Sequence, residues 1–180
     1  DHCADLINLR VDNIFRTSPV RRYDRSPYRD FIAAFLTNVD RGGTGMDAFM
    51  RRVLGMYYVN GVDIVVDKEA APAVRARNLA QERQLGLLPY LHAFGPLERL
   101  DWACDHAGRY LWARYDLGEV PPADEWAEAT GTRQYLTVTP DRWRLYEVAG
   151  VGDGDRTTVQ AGPTVLGVCP AVPFYFKEST

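Results

Sequence analysis

The spacing of hydrophobic side chains changes once along the chain, and this change constrains the fold more than any other feature of the sequence. In the first sixty residues apolar side chains recur every three or four positions, as in 31–39, which is typical of one face of an α-helix. After Pro89 they alternate with other side chains, as in 110–115, which is typical of a β-strand with two different faces. The sequence therefore predicts an α+β fold, with N-terminal helices followed by an antiparallel β meander.

Helix boundaries are predicted from residues that satisfy the free backbone groups at a helix end. Ser26 followed by Pro27 predicts a helix start, with a hydroxyl cap and proline at the first helical position. Thr44 with Asp47 three residues later resembles a capping box and predicts a second start. That helix is expected to end at Asn60-Gly61, because glycine readily adopts the left-handed conformation that terminates helices. A further short helix is predicted over 74–85.

Short segments rich in β-branched and aromatic residues follow. Val62–Asp67 comes directly after the helix terminator and predicts a buried strand. Asp105–Gly108 has the composition of a hairpin turn and joins two strand-like segments. We therefore expect a helical segment over 1–61 and a mostly antiparallel β part over 62–180 within one domain. The other predicted strands are 90–94, 100–104, 109–117, 134–139, 142–148, 157–161 and 171–176.

Composition and charge exclude several classes of protein. The net charge is −3 and the pI is near 5.6, so strong binding of nucleic acid through a basic surface is not expected. No segment approaches the roughly 18–20 apolar residues that a membrane span needs. The three cysteines are widely spaced without a C-x-x-C pair, which favours a reducing compartment. The chain begins Asp1-His2-Cys3, without methionine or a signal-peptide pattern, so we expect it to be part of a longer protein.

Motifs for catalysis are absent or weak. The chain contains no G-x-S-x-G, P-loop, G-x-G-x-x-G or H-E-x-x-H sequence. Asp63, Asp67 and His92 are the candidate residues for an unrecognised hydrolase, but the two carboxylates can equally end a strand near solvent. Cys104 and His106 lack the usual spacing of zinc ligands and fit a polar turn. We therefore expect no catalytic residue, no metal site and no cofactor.

Arginines are concentrated in the first thirty residues, against an otherwise acidic chain. Arginine is favoured at subunit interfaces, where its planar guanidinium pairs with carboxylates. We therefore predict a subunit interface here, with a solvated surface and a contact to a phosphate backbone as the alternatives. The residues are Arg10, Arg16, Arg21, Arg22, Arg25 and Arg29.

Aromatic residues are frequent in the predicted strands. Such residues form stacking platforms in proteins that bind single-stranded nucleic acid, but those platforms are normally flanked by many basic residues. We expect most of these side chains to belong to the core and none of them to bind DNA. The residues are Trp102, Tyr110, Trp112, Tyr115, Trp143 and Tyr146.

The order of segments resembles the portal proteins of tailed bacteriophages over about residues 6–176. Their early helix is similar to Leu6–Phe15, and their passage of helix end, glycine, apolar strand and aspartate is similar to Asn60–Asp67. A proline-led strand, an (I/L)-x-W strand and a D-x-x-G turn follow in the family, as in Leu88–Leu91, Leu100–Trp102 and Asp105–Gly108. The same order continues through Tyr28–Val39, Gly42-Gly43, Tyr110–Trp112, Gln134–Leu136, Arg142-Trp143, Leu145-Tyr146, Leu166–Val168 and Val172–Tyr175.

This resemblance implies a structural fragment, the peripheral wing region that precedes the stem of a portal subunit. Portal proteins form rings, usually twelve-fold, at one capsid vertex of the virion, after assembly in the bacterial cytoplasm. The ring passes DNA during packaging and ejection, and it docks terminase, the head–tail connector and capsid proteins. Nothing in the sequence matches the family's stem helices, tunnel loop or clip, so no DNA-binding residue is carried over. The alternative is another phage or bacterial structural or interaction domain of similar α+β layout.

Overall fold

A computed structural model of the chain describes residues 2–68, 78, 80, 81, 89–122, 124, 131–149, 156–164 and 166–174. The helices are α1 (His2–Ile14), α2 (Arg29–Thr37) and α3 (Met46–Asn60). The strands are β1 (Val62–Lys68), β2 (Pro89–Phe94), β3 (Arg99–Cys104), β4 (Tyr110–Glu119), β5 (Thr132–Val138), β6 (Arg142–Ala149), β7 (Arg156–Pro163) and β8 (Ala171–Phe174). The α+β prediction, with N-terminal helices and then antiparallel strands, is confirmed. Most of the helix predicted over 74–85, and residues 175 and 176 of the last predicted strand, lie outside the described residues.

The chain divides into two compact units. The first comprises Asp1–Gly95 and Pro173–Thr180, and the second is the uninterrupted segment Pro96–Val172. The boundary between these units differs from residue 61, where the helical segment and the β part were expected to meet, because β1 and β2 belong to the same unit as the helices. No helix in the described ranges is long and apolar enough to cross a lipid bilayer.

The core of the first unit lies between α3 and a three-stranded sheet. The sheet has the order β2–β1–β8, so the apolar strand predicted at 62–67 is its central strand. Phe49 and Val53 of α3 are buried together with Val39, Val62 and Ile64. Burying each of these side chains contributes roughly 1.5–3 kcal/mol to folding, which is why this cluster holds the helices and the sheet together.

The start of α2 differs from the prediction. The helix begins at Arg29, and Tyr28 at its N-terminal boundary makes no side-chain capping bond. The Ser26 hydroxyl accepts a hydrogen bond from the backbone N–H of Tyr28 at 3.1 Å, which forms a local turn. The hydroxyl contact predicted at Ser26 is therefore present, but it closes a turn that leads into the helix, which itself begins at Arg29.

The start of α3 also differs, whereas its end is confirmed. Gly45 occupies the N-terminal boundary without a side-chain cap, so the capping box predicted from Thr44 and Asp47 is wrong. The N–H of Thr44 instead donates to the Asp40 carboxylate at 3.1 Å. At the other end Gly61 has a φ of 87°, and its N–H donates to the carbonyl of residue 57. The positive φ explains why glycine ends this helix.

The second unit is built on a five-stranded antiparallel sheet. Its strand order β3–β4–β5–β6–β7 follows the chain, so the sheet is a meander. Residues directly opposite each other on neighbouring strands project to the same face. One face carries a row of register partners across β4 to β7, namely Ala113, Val138, Trp143 and Gly162. Ala113 and Val138 are buried on this face. The next row of register partners begins at Arg114, and its side chains therefore project from the other face.

Candidate functional site

A groove lies on the arginine-bearing face of this five-stranded sheet. Its volume is about 500 Å³, which is within the range of roughly 300–1,000 Å³ typical of ligand sites. We call it the sheet groove. Its described lining residues are Leu100, Trp112, Arg114, Tyr135, Thr137, Thr139, Arg144, Tyr146, Val148 and Arg156.

Strand register places basic and aromatic side chains in separate rows of the sheet groove. Arg114 of β4 is opposite Thr137 of β5, which in turn is opposite Arg144 of β6. Two residues along the strands, Tyr135 is opposite Tyr146. Because side chains two residues apart share a face, the arginine row and the tyrosine row lie side by side on one surface.

Contacts within the groove hold the guanidinium groups beside aromatic rings. Arg114 Cζ lies 5.9 Å from the centre of the Trp112 ring, within the range of a cation–π contact. Arg144 Nη1 donates a hydrogen bond to the Tyr146 hydroxyl at 3.2 Å. Both arginines are half-buried, so their positions are restricted without being closed to solvent.

The groove is locally positive although the whole chain is acidic. Three of the described lining residues are arginines, and none of the described lining residues is a carboxylate. Asp116, the next acidic residue along β4, forms an ion pair with Arg133 at 2.7 Å. Asp101 is opposite Arg114 in register on β3, where its carboxylate accepts the N–H of Trp102. An anion with a planar group therefore meets complementary charge and ring surface in the groove.

Aromatic residues of the strands divide between the core and the groove. Tyr110 and Tyr115 are buried, as expected for core residues. Trp112 and Tyr146 line the sheet groove instead, and Trp102 is 45% exposed. The groove aromatics can be recognised in the sequence because each lies two positions from an arginine on the same strand. These pairs are Trp112 with Arg114 on β4 and Tyr146 with Arg144 on β6.

The hydrolase candidates lie in the first unit, on one face of β1 and β2. Asp67 is opposite Tyr90 in register, and its Oδ2 accepts a hydrogen bond from the Tyr90 hydroxyl at 2.8 Å. His92 is opposite Val65, and its ring contacts the Tyr90 ring edge-on at 5.0 Å between centroids. Partial desolvation by neighbouring groups lowers the pKa of His92 although the residue is exposed, and this favours a neutral imidazole. The structure thus brings Asp67 and His92 to one surface.

Asp63 lies apart from this pair. It is 1% exposed, so the interpretation of both carboxylates as strand ends near solvent is wrong for this residue. Four residues of extended chain place the Cα atoms of Asp63 and Asp67 roughly 13 Å apart, too far for direct ligation of one metal ion. Across the described stretches, no group of three or more His, Cys, Asp or Glu side chains is arranged to hold a metal ion.

The N-terminal arginines have three kinds of environment. Arg21 pairs with Asp47 of α3, and Arg29 pairs with its neighbour Asp30 at 3.2 Å. Arg10 lies over the Tyr58 ring at 5.9 Å. The other members, Arg16, Arg22 and Arg25, are exposed.

Helix α1, which carries Arg10, also exposes apolar side chains. Leu6, Leu9 and Ile14 are 61%, 58% and 53% exposed, while Val11 and Phe15 are buried. We call Leu6, Leu9 and Ile14, together with the six arginines, the N-terminal surface. The mixture of exposed leucine and arginine is typical of protein–protein interfaces.

Comparison of the sequence with protein-family models and with curated proteins finds no match in either set.

Proposed function

We propose that the chain is a non-catalytic structural part of a tailed-phage portal ring, and that it forms the peripheral wing of the subunit. The resemblance in segment order supports this proposal, since three of the quoted passages adopt the element that the order implies. The passage Asn60–Asp67 spans a helix end and a central strand, Leu100–Trp102 lies in β3, and Asp105–Gly108 turns the chain into β4.

The N-terminal surface is the observation that carries the proposal. A closed ring requires two different surfaces on each subunit that meet head to tail. Exposed Leu6 and Leu9 on α1 would be covered by the neighbouring copy, and the adjacent arginines would pair with its carboxylates. In this assembly the chain contacts copies of itself.

The other partners follow from the ring as a whole. Terminase, the head–tail connector and capsid proteins would bind through other regions of the subunit, and translocating DNA would pass through the ring. The site of action is then the portal vertex of the virion, with assembly in the bacterial cytoplasm. No cofactor and no membrane takes part in this role.

Ring assembly tests the proposal. The intact gene product should sediment as a ring, and Leu9→Glu combined with Arg22→Glu should shift most of it to monomer in analytical ultracentrifugation. Leu97→Glu is the matched control, because Leu97 is 92% exposed in the second unit and lies outside the N-terminal surface. A gene product that stays monomeric, or rings that persist in the double variant, would overturn the proposal.

A hydrolase is the second candidate function, favoured by the shared face of Asp67 and His92. It would use Asp67 and His92, with the neutral imidazole as general base, whereas Asp63 is buried and lies apart from them. A hydrolytic activity that is lost in His92→Ala and kept in His106→Ala would support this candidate and contradict a purely structural role. His106 is the control because it is exposed in the β3–β4 turn.

A further inference from the structure

We propose that the sheet groove binds single-stranded nucleic acid, taking a base against its aromatic side chains and the adjoining phosphate against its arginines. The ligand chemistry is a planar base joined to a phosphate, which a single strand and a free nucleotide share. This inference goes beyond the assembly role, and it departs from the expectation that the net charge of −3 excludes nucleic acid.

The arginine row provides the phosphate contacts. Arg114 and Arg144 lie on strands separated by β5, so their backbones are roughly 10 Å apart. Thr137 lies between them in register and adds a hydroxyl. Phosphate oxygens accept charge-assisted hydrogen bonds from guanidinium groups, which are stronger than bonds between neutral groups. Arg156 lines the same groove and adds a third positive charge.

The aromatic side chains provide the base contacts. Trp112, Tyr135 and Tyr146 are half-buried and line the groove beside the arginines. Bases stack on such rings without regard to sequence, because each base has a π-face. Their arrangement on the face of an antiparallel sheet is a general solution for single strands, whose bases are unpaired and can reach the protein surface.

Charge selects an anionic ligand. No described lining residue is acidic, whereas Asp116, the nearest acid along β4, is already neutralised by Arg133. A cationic ligand would find no carboxylate to pair with among the described lining residues. A duplex would keep its bases paired inside the helix and would leave the aromatic row unused. A single strand uses both rows.

Fluorescence anisotropy with a labelled ten-residue oligothymidylate tests the inference on the purified chain. We expect binding whose association constant falls with salt at a log–log slope of about −2, from roughly 0.7 for each of three phosphates. Trp112→Ala should weaken binding by about tenfold through lost stacking. Arg114→Gln and Arg144→Gln should each reduce the slope by about 0.7. Arg109→Gln removes the same charge from the exposed β3–β4 turn, outside the sheet groove and the N-terminal surface, and should leave binding unchanged.

Further measurements distinguish a nucleic-acid strand from a free nucleotide as the ligand, and they control for misfolding of the variants. Competition by free thymidine monophosphate at the same nucleotide concentration would assign the groove to a mononucleotide, and failure to compete would assign it to a strand. Arg156→Gln changes an exposed residue at the end of β7, so its slope loss tests the groove even if Trp112→Ala unfolds in circular dichroism. Equal competition by polyglutamate with no effect of Trp112→Ala, or no binding at low salt, would overturn the inference.

Discussion

Replacing Gly162 by alanine should destabilise the second unit through one defined collision. Gly162 of β7 is opposite Trp143 of β6 in register. A Cβ atom at this position would lie 2.7 Å from Trp143 Nε1 and 2.9 Å from Cε2. The indole is a rigid bicyclic ring, so it must turn as a whole or the two strands must separate.

The expected loss combines two opposing effects. Overpacking of this kind costs typically about 1–3 kcal/mol. Alanine also restricts the unfolded chain more than glycine, which returns about 0.4–1 kcal/mol to stability. The free energy of unfolding should therefore fall by about 1–2 kcal/mol, which for a chain of this size lowers Tm by about 2–8 °C.

Calorimetry and near-ultraviolet circular dichroism measure the two parts of this effect. The calorimetric transition of the second unit should move down, and the indole signal should change because Trp143 is displaced. In a Trp143→Leu background the same Gly162→Ala change should cost less than half as much, since the rigid ring is gone. An unchanged or raised Tm for the single variant would refute the collision.

Two further predictions concern the first unit. Gly55→Ala should raise the free energy of unfolding by about 0.5–1 kcal/mol, because Gly55 lies within α3 and a Cβ there meets no atom within 4 Å; a lower urea midpoint would contradict this. Partial desolvation lowers the pKa of the exposed His92, so the folded state binds fewer protons than the unfolded chain. The free energy of unfolding should therefore be greatest above the unfolded pKa near 6.5 and should fall slightly as the pH decreases. Urea titrations at pH 8 and pH 5.5 should show this loss in the wild type and a smaller loss in His92→Gln, and equal losses in both would refute it.

Local patterns predicted much of the secondary structure. The strand predicted at 62–67 corresponds to β1, and the turn Asp105–Gly108 joins β3 to β4, since each depends on residues within a few positions of one another. The Ser26 hydroxyl forms a turn just before α2, and the capping box at Thr44 was wrong because the Thr44 N–H bonds to Asp40 instead. A capping pattern alone does not show which of several neighbours a hydroxyl or an N–H will choose.

The candidate sites depend on pairings that the sequence does not specify. Alternation places Trp112 and Arg114 on one face, but only the register of β4, β5 and β6 brings Arg144 and Tyr146 beside them. Likewise, a spacing of four residues places Asp63 and Asp67 on one face of a strand, while the burial of Asp63 depends on packing in the first unit. Strand register depends on pairing between distant segments. A single sequence therefore predicts which side chains of one strand share a face, but it does not predict which residues of neighbouring strands lie opposite one another.

The placement of β8 has a consequence for synthesis of the chain on the ribosome. β1 is the central strand of its sheet, yet its neighbour β8 is translated roughly 100 residues later. At about 5–20 residues per second, the nascent chain spends roughly 5–20 s with that side of β1 unpaired. During this interval the segment Pro96–Val172 is synthesised. The unpaired edge of β1, which carries Val62, Ile64 and Val65, can then form backbone hydrogen bonds with another nascent chain. Yield in the cell should therefore depend on how quickly translation reaches Ala171–Phe174.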